Sequence, residues 1–480
     1  MYDVVVIGAG IAGTFIAREL SRYDLKIAIV EKTNDVANST TMANSAIIHA
    51  GYDAPANKKK GYFNAKGNAL YDQVCEELDV PFKRIGSLVV AFSEEDKITL
   101  QKLYDNGVEV GVPDMEILNQ EQVLAMEPNL NQEILGALHA PSGGVISPWE
   151  MAIALAENAM ENGAELFLNK EVKDMKKDDD KFTLYFEDGT MEAKYVINCA
   201  GLYSDKINNM VAAPLFEIKP RRGQYYILDK SEGNLVSKVI FQCPSEKGKG
   251  ILVSPTVHGN LLVGPDSEPI NNRDDISTSR DALDMIRETA LLTCKNIPYG
   301  KVIRSFSGVR STADYGDFII GESPEVKGLI NIGGFESPGL SSAPAVANYV
   351  VDLMKQITGG LTEKADFNPR RRPFIRFEEL PEDEKAELVR KDPKYGRVIC
   401  RCEVITEGEI VDAIHRKAGA TTVKGVKKRT RAGMGRCQGG FCSPRVVEIL
   451  ARELKCDVKD IKLDGPSSYI LSDRTKNVEE

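Results

Sequence analysis

No run of about 18 apolar residues occurs anywhere in the chain, so any contact with a membrane is expected to be peripheral or through a partner. Met1 leads almost at once into Val4-Val5-Val6-Ile7, without a basic segment or a small-residue cleavage site, and no signal peptide is expected. Positive charge is in deficit. A net charge of -10 argues against non-specific nucleic-acid binding as the main business of the protein. Histidine is scarce, with four residues in all, so a histidine base can only be His49, His139, His258 or His415. There is no repeat period and no low-complexity tract.

At 480 residues the chain exceeds one ordinary core, and two or three domains are expected. Four of its nine cysteines gather near its end: Cys400 and Cys402 as Cys-x-Cys, Cys437 and Cys442 as Cys-x4-Cys. Thiolates are soft anionic ligands, and two close pairs suit a [2Fe–2S] cluster or zinc. The difference matters, because only iron–sulfur carries single electrons. Cys75, Cys199, Cys243, Cys294 and Cys456 stand singly in apolar or mixed segments and read as buried free thiols, which indicates a reducing cytoplasm.

The other end of the chain favours iron. Tyr2 to Ile7 reads as a buried strand, Gly8-Ala-Gly10-Ile-Ala-Gly13 as a turn, and Ile11 to Arg22 as a helix, followed by a second strand from Ile27 to Val30 that ends at Glu31. In this context GxGxxG is a dinucleotide fingerprint. Gly8 permits the turn, Gly10 leaves room for a pyrophosphate, Gly13 lets helix and strand approach, and Glu31 can accept hydrogen bonds from ribose hydroxyls. Pro148 to Asn162 is a further helix. Thr406-Glu-Gly-Glu409 reads as a capping box opening a helix through Ile410, Ile414 and Arg416, and Ser443-Pro444 opens another through Val446, Ile449 and Leu450. Proline and clustered charge between Phe367 and Tyr395 read as a linker that separates the cysteine module from the body.

Several segments resemble the D-amino-acid oxidase-like FAD oxidoreductases: Ser39 to Gly51, Asn198-Cys-Ala-Gly-Leu-Tyr-Ser-Asp205, Gly308-Val-Arg310, and Gly333-Gly-Phe-Glu-Ser-Pro-Gly-Leu340. Within that family, Asn-Ser-x-Ile-Ile-His-Ala-Gly is most similar to the L-2-hydroxyglutarate dehydrogenase branch, with Ala46 in place of its common glycine. The stretch from Val398 to Leu454 resembles the bacterioferritin-associated-ferredoxin-like [2Fe–2S] domain, in the version fused to one of the subunits of anaerobic glycerol-3-phosphate dehydrogenases.

The resemblance implies an α/β (α+β overall) architecture. A Rossmann-like FAD-binding domain would take residues 1–84, 141–215 and 300–366, and an antiparallel-sheet substrate domain 85–140 and 216–299. A linker over 367–396, a small helical cluster domain over 397–456 and a tail over 457–480 would follow. It implies FAD contacts from Gly8, Gly10, Gly13, Glu31, Thr41, Ser45, Val172, Ala200, Gly201, Gly334, Gly339 and Leu340, and cluster ligation by Cys400, Cys402, Cys437 and Cys442. His49 is expected beside the flavin, as proton acceptor or as packing. Arg310, and Arg222 unless it is only a surface arginine at a strand start, would grip an anionic substrate, with Arg304 a third candidate. His258 reads as a turn residue. Lys424, Lys427, Lys428, Arg429, Arg431 and Arg436 form either a solvated basic face or a dock for an acidic partner.

The expected activity is a dehydrogenase that oxidises a small anionic secondary alcohol through FAD and passes electrons through a [2Fe–2S] cluster to a partner. The cluster module points to sn-glycerol 3-phosphate, the N-terminal wording to 2-hydroxyglutarate or another 2-hydroxy acid. An iron-responsive or electron-storing flavoprotein is the reading from another class. A redox partner subunit or carrier and hence a hetero-oligomer are expected, in the cytoplasm or at a membrane through the partner.

Overall fold

Alternation along the first strand puts Val4 and Val6 in one core and Val5 and Ile7 in another, so it is buried on both faces, as parallel strands are. The computed structural model describes residues 1–244 and 250–473. In it β1 (Tyr2–Ile7) leads through the glycine turn into α1 (Ile11–Leu20), two residues shorter than expected. β2 (Ile27–Val30) and then Glu165–Phe167 flank β1 on one side, and Gly189–Asn198 and then Leu329–Gly333 on the other, all parallel. α1, the helix Pro148–Glu161 and α2 (Gly339–Thr358) bury their apolar stripes on one face. An antiparallel meander, Asp174–Asp178 and Lys181–Phe186, extends the sheet. This is the expected Rossmann-like layer, and its strands' carboxyl ends deliver Gly8, Glu31, Cys199 and Gly334 to one edge.

Among the described residues the second sheet has nine strands and is antiparallel except where Val239–Gln242 runs parallel to Ser87–Ala91. β3 (Arg221–Leu228) and β4 (Val302–Arg310) are in register with Arg221 opposite Arg310, Gly223 opposite Gly308 and Tyr225 opposite Phe306. That pairing corrects the expected boundary at 300: β4 belongs to the second sheet, and the chain rejoins the first layer only after Arg310.

The cysteine module packs α3 (Glu407–His415), α4 (Val423–Thr430) and α5 (Ser443–Leu454) around Ile410, Val426 and Leu450. The capping box is formed: the Glu409 backbone donates to Thr406 Oγ1 at 3.3 Å, and Glu409 Oε2 accepts from the Thr406 backbone at 2.8 Å. The stretch expected to separate this module from the body instead joins them. It carries a helix, Glu382–Lys391, and its Arg371 meets Arg416 of the module over the buried Glu157 carboxylate of the body.

Most of the module's basic residues turn inward rather than forming a solvated face, although Lys427 is half-buried and has no ion pair among the described residues. Lys428 and Arg429 are buried and converge on Asp35 of the first layer, at 2.9 and 2.8 Å, and Lys428 Nζ also donates to the Val36 carbonyl at 2.6 Å. Lys424 pairs with Asp464, Arg431 with Glu403 and Arg436 with Asp229. The expected tail also packs: Ile461 enters the module core, and the Asp464 carbonyl accepts from Asn34 at 2.9 Å. Residues 474–480 of that tail lie outside the described residues. Cys75, Cys199, Cys243 and Cys294 are buried as expected, but Cys456 is exposed at the end of α5.

Candidate active site

A single elongated cleft runs along the carboxyl edge of the parallel sheet and under the second sheet. Glu31, Lys32, Glu171, Val172 and Lys206 line one end, Gly8, Gly10, Thr40 and Thr41 the middle, and His49, Tyr225, Arg310, Ser337 and Leu340 the other end. The glycines act there through space as well as conformation. Gly8 has φ +105, and a Cβ on Gly13 would lie 2.0 Å from the Gly8 carbonyl oxygen, so only glycine lets the turn close. A Cβ on Gly10 would meet nothing nearer than Thr41 Oγ1 at 3.2 Å, which leaves this backbone open to the cleft.

Both Glu31 oxygens are anchored, Oε2 by the Ala9 backbone and Oε1 by Thr33, all at 2.9 Å. Oε2, with a single donor, retains acceptor capacity for a hydroxyl. The open Gly10 backbone, the fixed Glu31 carboxylate and the helix N-terminus at Ile11 fit the pyrophosphate and ribose of FAD.

Among the expected FAD residues, Gly8, Gly10, Glu31, Thr41, Ser45, Val172, Ala200, Gly201 and Leu340 line the cleft. Gly13, Gly334 and Gly339 do not line it and instead shape its walls: Gly334 has φ +61, and a Cβ on Gly339 would crowd Phe335 at 3.0 Å. α2 starts at Gly339. Ala46, in place of the branch's glycine, takes φ 58, the left-handed backbone that explains why glycine suits the position.

The far end is assembled from three elements. The segment from Thr40 to His49 reaches across to β4, where Thr40 Oγ1 donates to the Val309 carbonyl at 2.8 Å, and a Cβ on Gly308 would strike the Ala43 carbonyl oxygen at 1.8 Å. His49 is fixed from both sides: its backbone donates to Ser341 Oγ at 2.7 Å, its ring stacks on Phe241 with centroids 5.7 Å apart, and its Nε2 lies 3.4 Å from Ser337 Oγ. Tyr225 stacks on Phe306 at 4.6 Å, and its hydroxyl sits 3.3 Å from Ser45 Oγ. Burial pushes the Tyr225 phenol up, against the nearby Arg310 charge, so it stays a proton donor.

Arg310 reaches the cleft and donates to neutral oxygens, the Asp266 carbonyl at 3.1 Å and Ser267 Oγ at 3.2 Å; the Tyr225 hydroxyl is beside it and the Asp266 carboxylate is close enough to interact, but it forms no ion pair among the described residues. Arg222 does not reach it. Because side chains alternate along β3, the face carrying Arg221, Gly223 and Tyr225 is shared with Arg310, while Arg222 and Gln224 point to the other side. There Arg222 is buried and neutralised by Glu268 at 2.7 Å and Asp275 at 2.8 Å. Arg304 also lies elsewhere, donating to Gln438 of the cysteine module at 3.3 Å. His258 sits in the turn between the paired strands Leu252–Pro255 and Leu261–Gly264, as expected, and meets the half-buried Glu150 at 2.7 Å. His139 belongs to the second sheet, and His415 pairs with Glu453 at 2.7 Å.

Tyr225, Ser337, Lys32 and Lys206 were not anticipated. Gln-Tyr-Tyr beside Arg222 held the signal for Tyr225, but only the register with β4 says which tyrosine faces the cleft.

The four module cysteines stand as two pairs, each with one member from each motif. The Cys402 thiol donates to the Cys437 sulfur at 3.7 Å, and Cys400 is hydrogen-bonded with Cys442. Cys400 is drawn down to about 6, first by Cys442 and, against burial, by the backbone N–H groups of Gly433 and Glu403. Burial opposes the same change at Cys437, but the backbone N–H groups of the 439–441 turn draw it down. Backbone donors thus suit Cys400 and Cys437 to the thiolate form, while their pair partners Cys442 and Cys402 are pushed up, and four cysteine sulfurs gathered in this way fit a [2Fe–2S] cluster.

Parallel sheet, glycine turn, anchored glutamate and continuous cleft define a flavin-dependent oxidoreductase carrying a second, thiolate-held redox site. The family model described as FAD dependent oxidoreductase matches residues 3–353, and the one described as BFD-like [2Fe-2S] binding domain matches 398–452. The chain belongs to the FAD dependent oxidoreductase family, with a BFD-like [2Fe–2S] domain at its C-terminal end. It is 57% identical over 477 residues to a glycerol 3-phosphate dehydrogenase of Caloramator mitchellensis, covering 99% of both chains. It is 30% identical to the Bos taurus mitochondrial L-2-hydroxyglutarate dehydrogenase, over 62% of this chain and 69% of the relative. The solved dithionite-reduced L-alpha-glycerophosphate oxidase of Mycoplasma pneumoniae, with FAD bound, superposes with a TM-score of 0.74 at 30% identity, over 78% of this chain and 99% of that one.

Proposed function

We propose that this chain oxidises sn-glycerol 3-phosphate to dihydroxyacetone phosphate and delivers the electrons singly, through its [2Fe–2S] cluster, to a redox partner. The observation that carries this reading is the 57% identity with a glycerol 3-phosphate dehydrogenase across 99% of both chains, cysteine module included.

Bound FAD supplies the hydride acceptor, and the bound cluster converts a two-electron reduction into single-electron steps. The protein's own residues do the rest. Arg310 pairs with the substrate phosphate bidentately, since its present partners are neutral oxygens that it can exchange for an anion. Tyr225 keeps its phenolic proton and donates to a substrate oxygen. His49, held by its backbone and by Phe241, receives the hydroxyl proton at Nε2 as the carbon loses its hydride. Glu31 and the Gly10 backbone hold the nucleotide half of the cofactor away from Arg310 and His49.

Among the described residues no helix is long and apolar enough to cross a membrane. We assign the protein to the cytoplasm, as one part of a hetero-oligomer that reaches a membrane only through its partner.

The 30% identity with an L-2-hydroxyglutarate dehydrogenase supports a second reading, oxidation of a 2-hydroxy acid at the same His49 and Arg310. Anaerobic flavin bleaching by glycerol 3-phosphate, 2-hydroxyglutarate, lactate and amino acids decides between them. Rapid bleaching by glycerol 3-phosphate alone is expected. Bleaching by 2-hydroxyglutarate in its place transfers the assignment, and no bleaching by any of them leaves an electron-storing flavoprotein.

A further inference from the structure

Five basic residues of the cysteine module, Lys424, Lys428, Arg429, Arg431 and Arg436, are engaged in internal ion pairs with Asp464, Asp35, Glu403 and Asp229. What the module turns outward is different. Cys400 and Cys442 are buried, whereas Cys402 and Cys437 are half-buried, so the cluster site has its open edge at the latter pair. On the ligand segments 400–403 and 435–445 the exposed charges are Arg401, Arg436 and Arg445, and the one acid, Glu403, is buried. That makes a mainly basic rim on a chain of net charge -10, in which Arg445 is paired at 2.7 Å with the exposed Glu448 of the same helix. Arg401 has no ion pair among the described residues, and Arg436 remains 72% exposed despite its contact with Asp229.

Phe441 lies on the same ligand segment, between Arg436 and Arg445 in the sequence. It immediately precedes Cys442, follows Gly439-Gly440, and at 85% is the most exposed large hydrophobic side chain among the described residues. A single exposed apolar residue is ordinary on a protein surface. An exposed aromatic side chain on a cluster-ligand loop that also carries exposed arginines has the composition of a binding anchor.

We propose that this loop is the docking face for an acidic electron-carrier protein, a role that rests on the electron-relay function proposed for the cluster. Phe441 enters an apolar socket on the carrier, Arg401, Arg436 and Arg445 face its carboxylates, and its redox centre comes up to the Cys402–Cys437 edge. Each docked carrier takes one electron from the cluster, so two dockings discharge the two electrons of one oxidised alcohol. Charge of this kind steers the encounter and makes it sensitive to salt.

The test uses the full chain with both cofactors loaded, glycerol 3-phosphate as reductant, and two protein acceptors: the acidic soluble haem domain of a cytochrome b5, and basic cytochrome c. The wild-type protein is expected to reduce the acidic acceptor at least tenfold more efficiently, with a steep fall as salt rises. Phe441→Ala and the double change Arg401→Glu with Arg445→Glu, compared at matched iron content, are each expected to lose at least tenfold in kcat/KM for the acidic acceptor while bleaching flavin at the wild-type rate. Cys437→Ser reads the relay separately. If it reduces the acidic acceptor as fast as wild type, the relay reading falls. If it is inactive but the docking variants match wild type, only the docking face is overturned. Equal use of both acceptors by wild type would also overturn it. So would Phe441-dependent binding to phosphatidylglycerol vesicles without any loss of cytochrome reduction, which would mark a lipid-binding surface.

Discussion

Arg222 and Arg310 illustrate how one residue's neighbours decide its use. Both are arginines close to the cleft in sequence terms, yet only Arg310 is left with neutral partners. Arg310→Ala is therefore expected to cost about 2 to 5 kcal/mol of substrate recognition, a loss of roughly 30-fold to several thousand-fold in kcat/KM, while the flavin spectrum is unchanged. Steady-state kinetics with glycerol 3-phosphate checks it, and an unaltered kcat/KM would remove Arg310 from the site. Arg222→Ala should do the reverse. Glu268 and Asp275 are partly exposed and can be rehydrated, so stability falls by only about 1 to 3 kcal/mol, with KM for the substrate unmoved. The difference between these two arginines was not legible in the sequence, because a strand's alternation is visible there but the register that assigns its two faces is not.

At the scale of elements, the strand, turn and helix at the start of the chain were readable because their constraints are local: spacing, β-branching and three glycines within six residues. The structure adds that the glycines differ. Gly13→Ala drives a methyl group into the Gly8 carbonyl and is expected to lower stability by about 1 to 3 kcal/mol and to lose flavin. Gly10→Leu should leave the fold intact and remove flavin all the same, since its side chain would fill the path of the pyrophosphate. Thermal melting and the flavin absorbance of purified variants separate the two outcomes; a yellow Gly10→Leu protein would place the pyrophosphate elsewhere.

The contact of α4 with Asp35 was not readable at all, because its partners lie at opposite ends of the chain. Burial alone would raise the Asp35 carboxyl, but Arg429 and then Lys428 hold it well below the usual carboxylate range. A depressed folded value means that the contribution is complete above about pH 4, where the unfolded carboxyl is also ionised, and is lost as pH falls toward the folded value. Asp35→Asn should therefore cost about 3 to 5 kcal/mol near neutrality. In urea unfolding, the gap between variant and wild type should narrow below about pH 4; a gap independent of pH would show that the charge contributes nothing.

For the whole molecule, the layer order and the two cofactor sites followed from motifs, whereas the way the parts sit together did not. Composition made residues 367–396 look like a spacer, yet Arg371 buries its charge against Glu157 and draws Arg416 of the module to the same carboxylate. Chemical separability should nevertheless survive this mechanical union. In Cys437→Ser, a serine hydroxyl is too hard and too weakly acidic to replace the thiolate, so the iron–sulfur signal should vanish from electron paramagnetic resonance. Flavin bleaching by substrate should persist and transfer to a one-electron acceptor should stop; wild-type protein isolated anaerobically with zinc and no iron would refute the cluster assignment.

The union of module and body also bears on engineering. An enzyme trimmed to its first 366 residues, with the aim of making a simple oxidase, would not be the same flavoprotein with a piece missing. It would uncover Asp35 and Glu157 without their cations, and Asp35 begins the segment that runs on to Thr41 at the cofactor cleft. Minimising this protein therefore calls for redesign of the exposed seam, with neutral residues at those two positions, before the shortened chain is asked to hold its flavin.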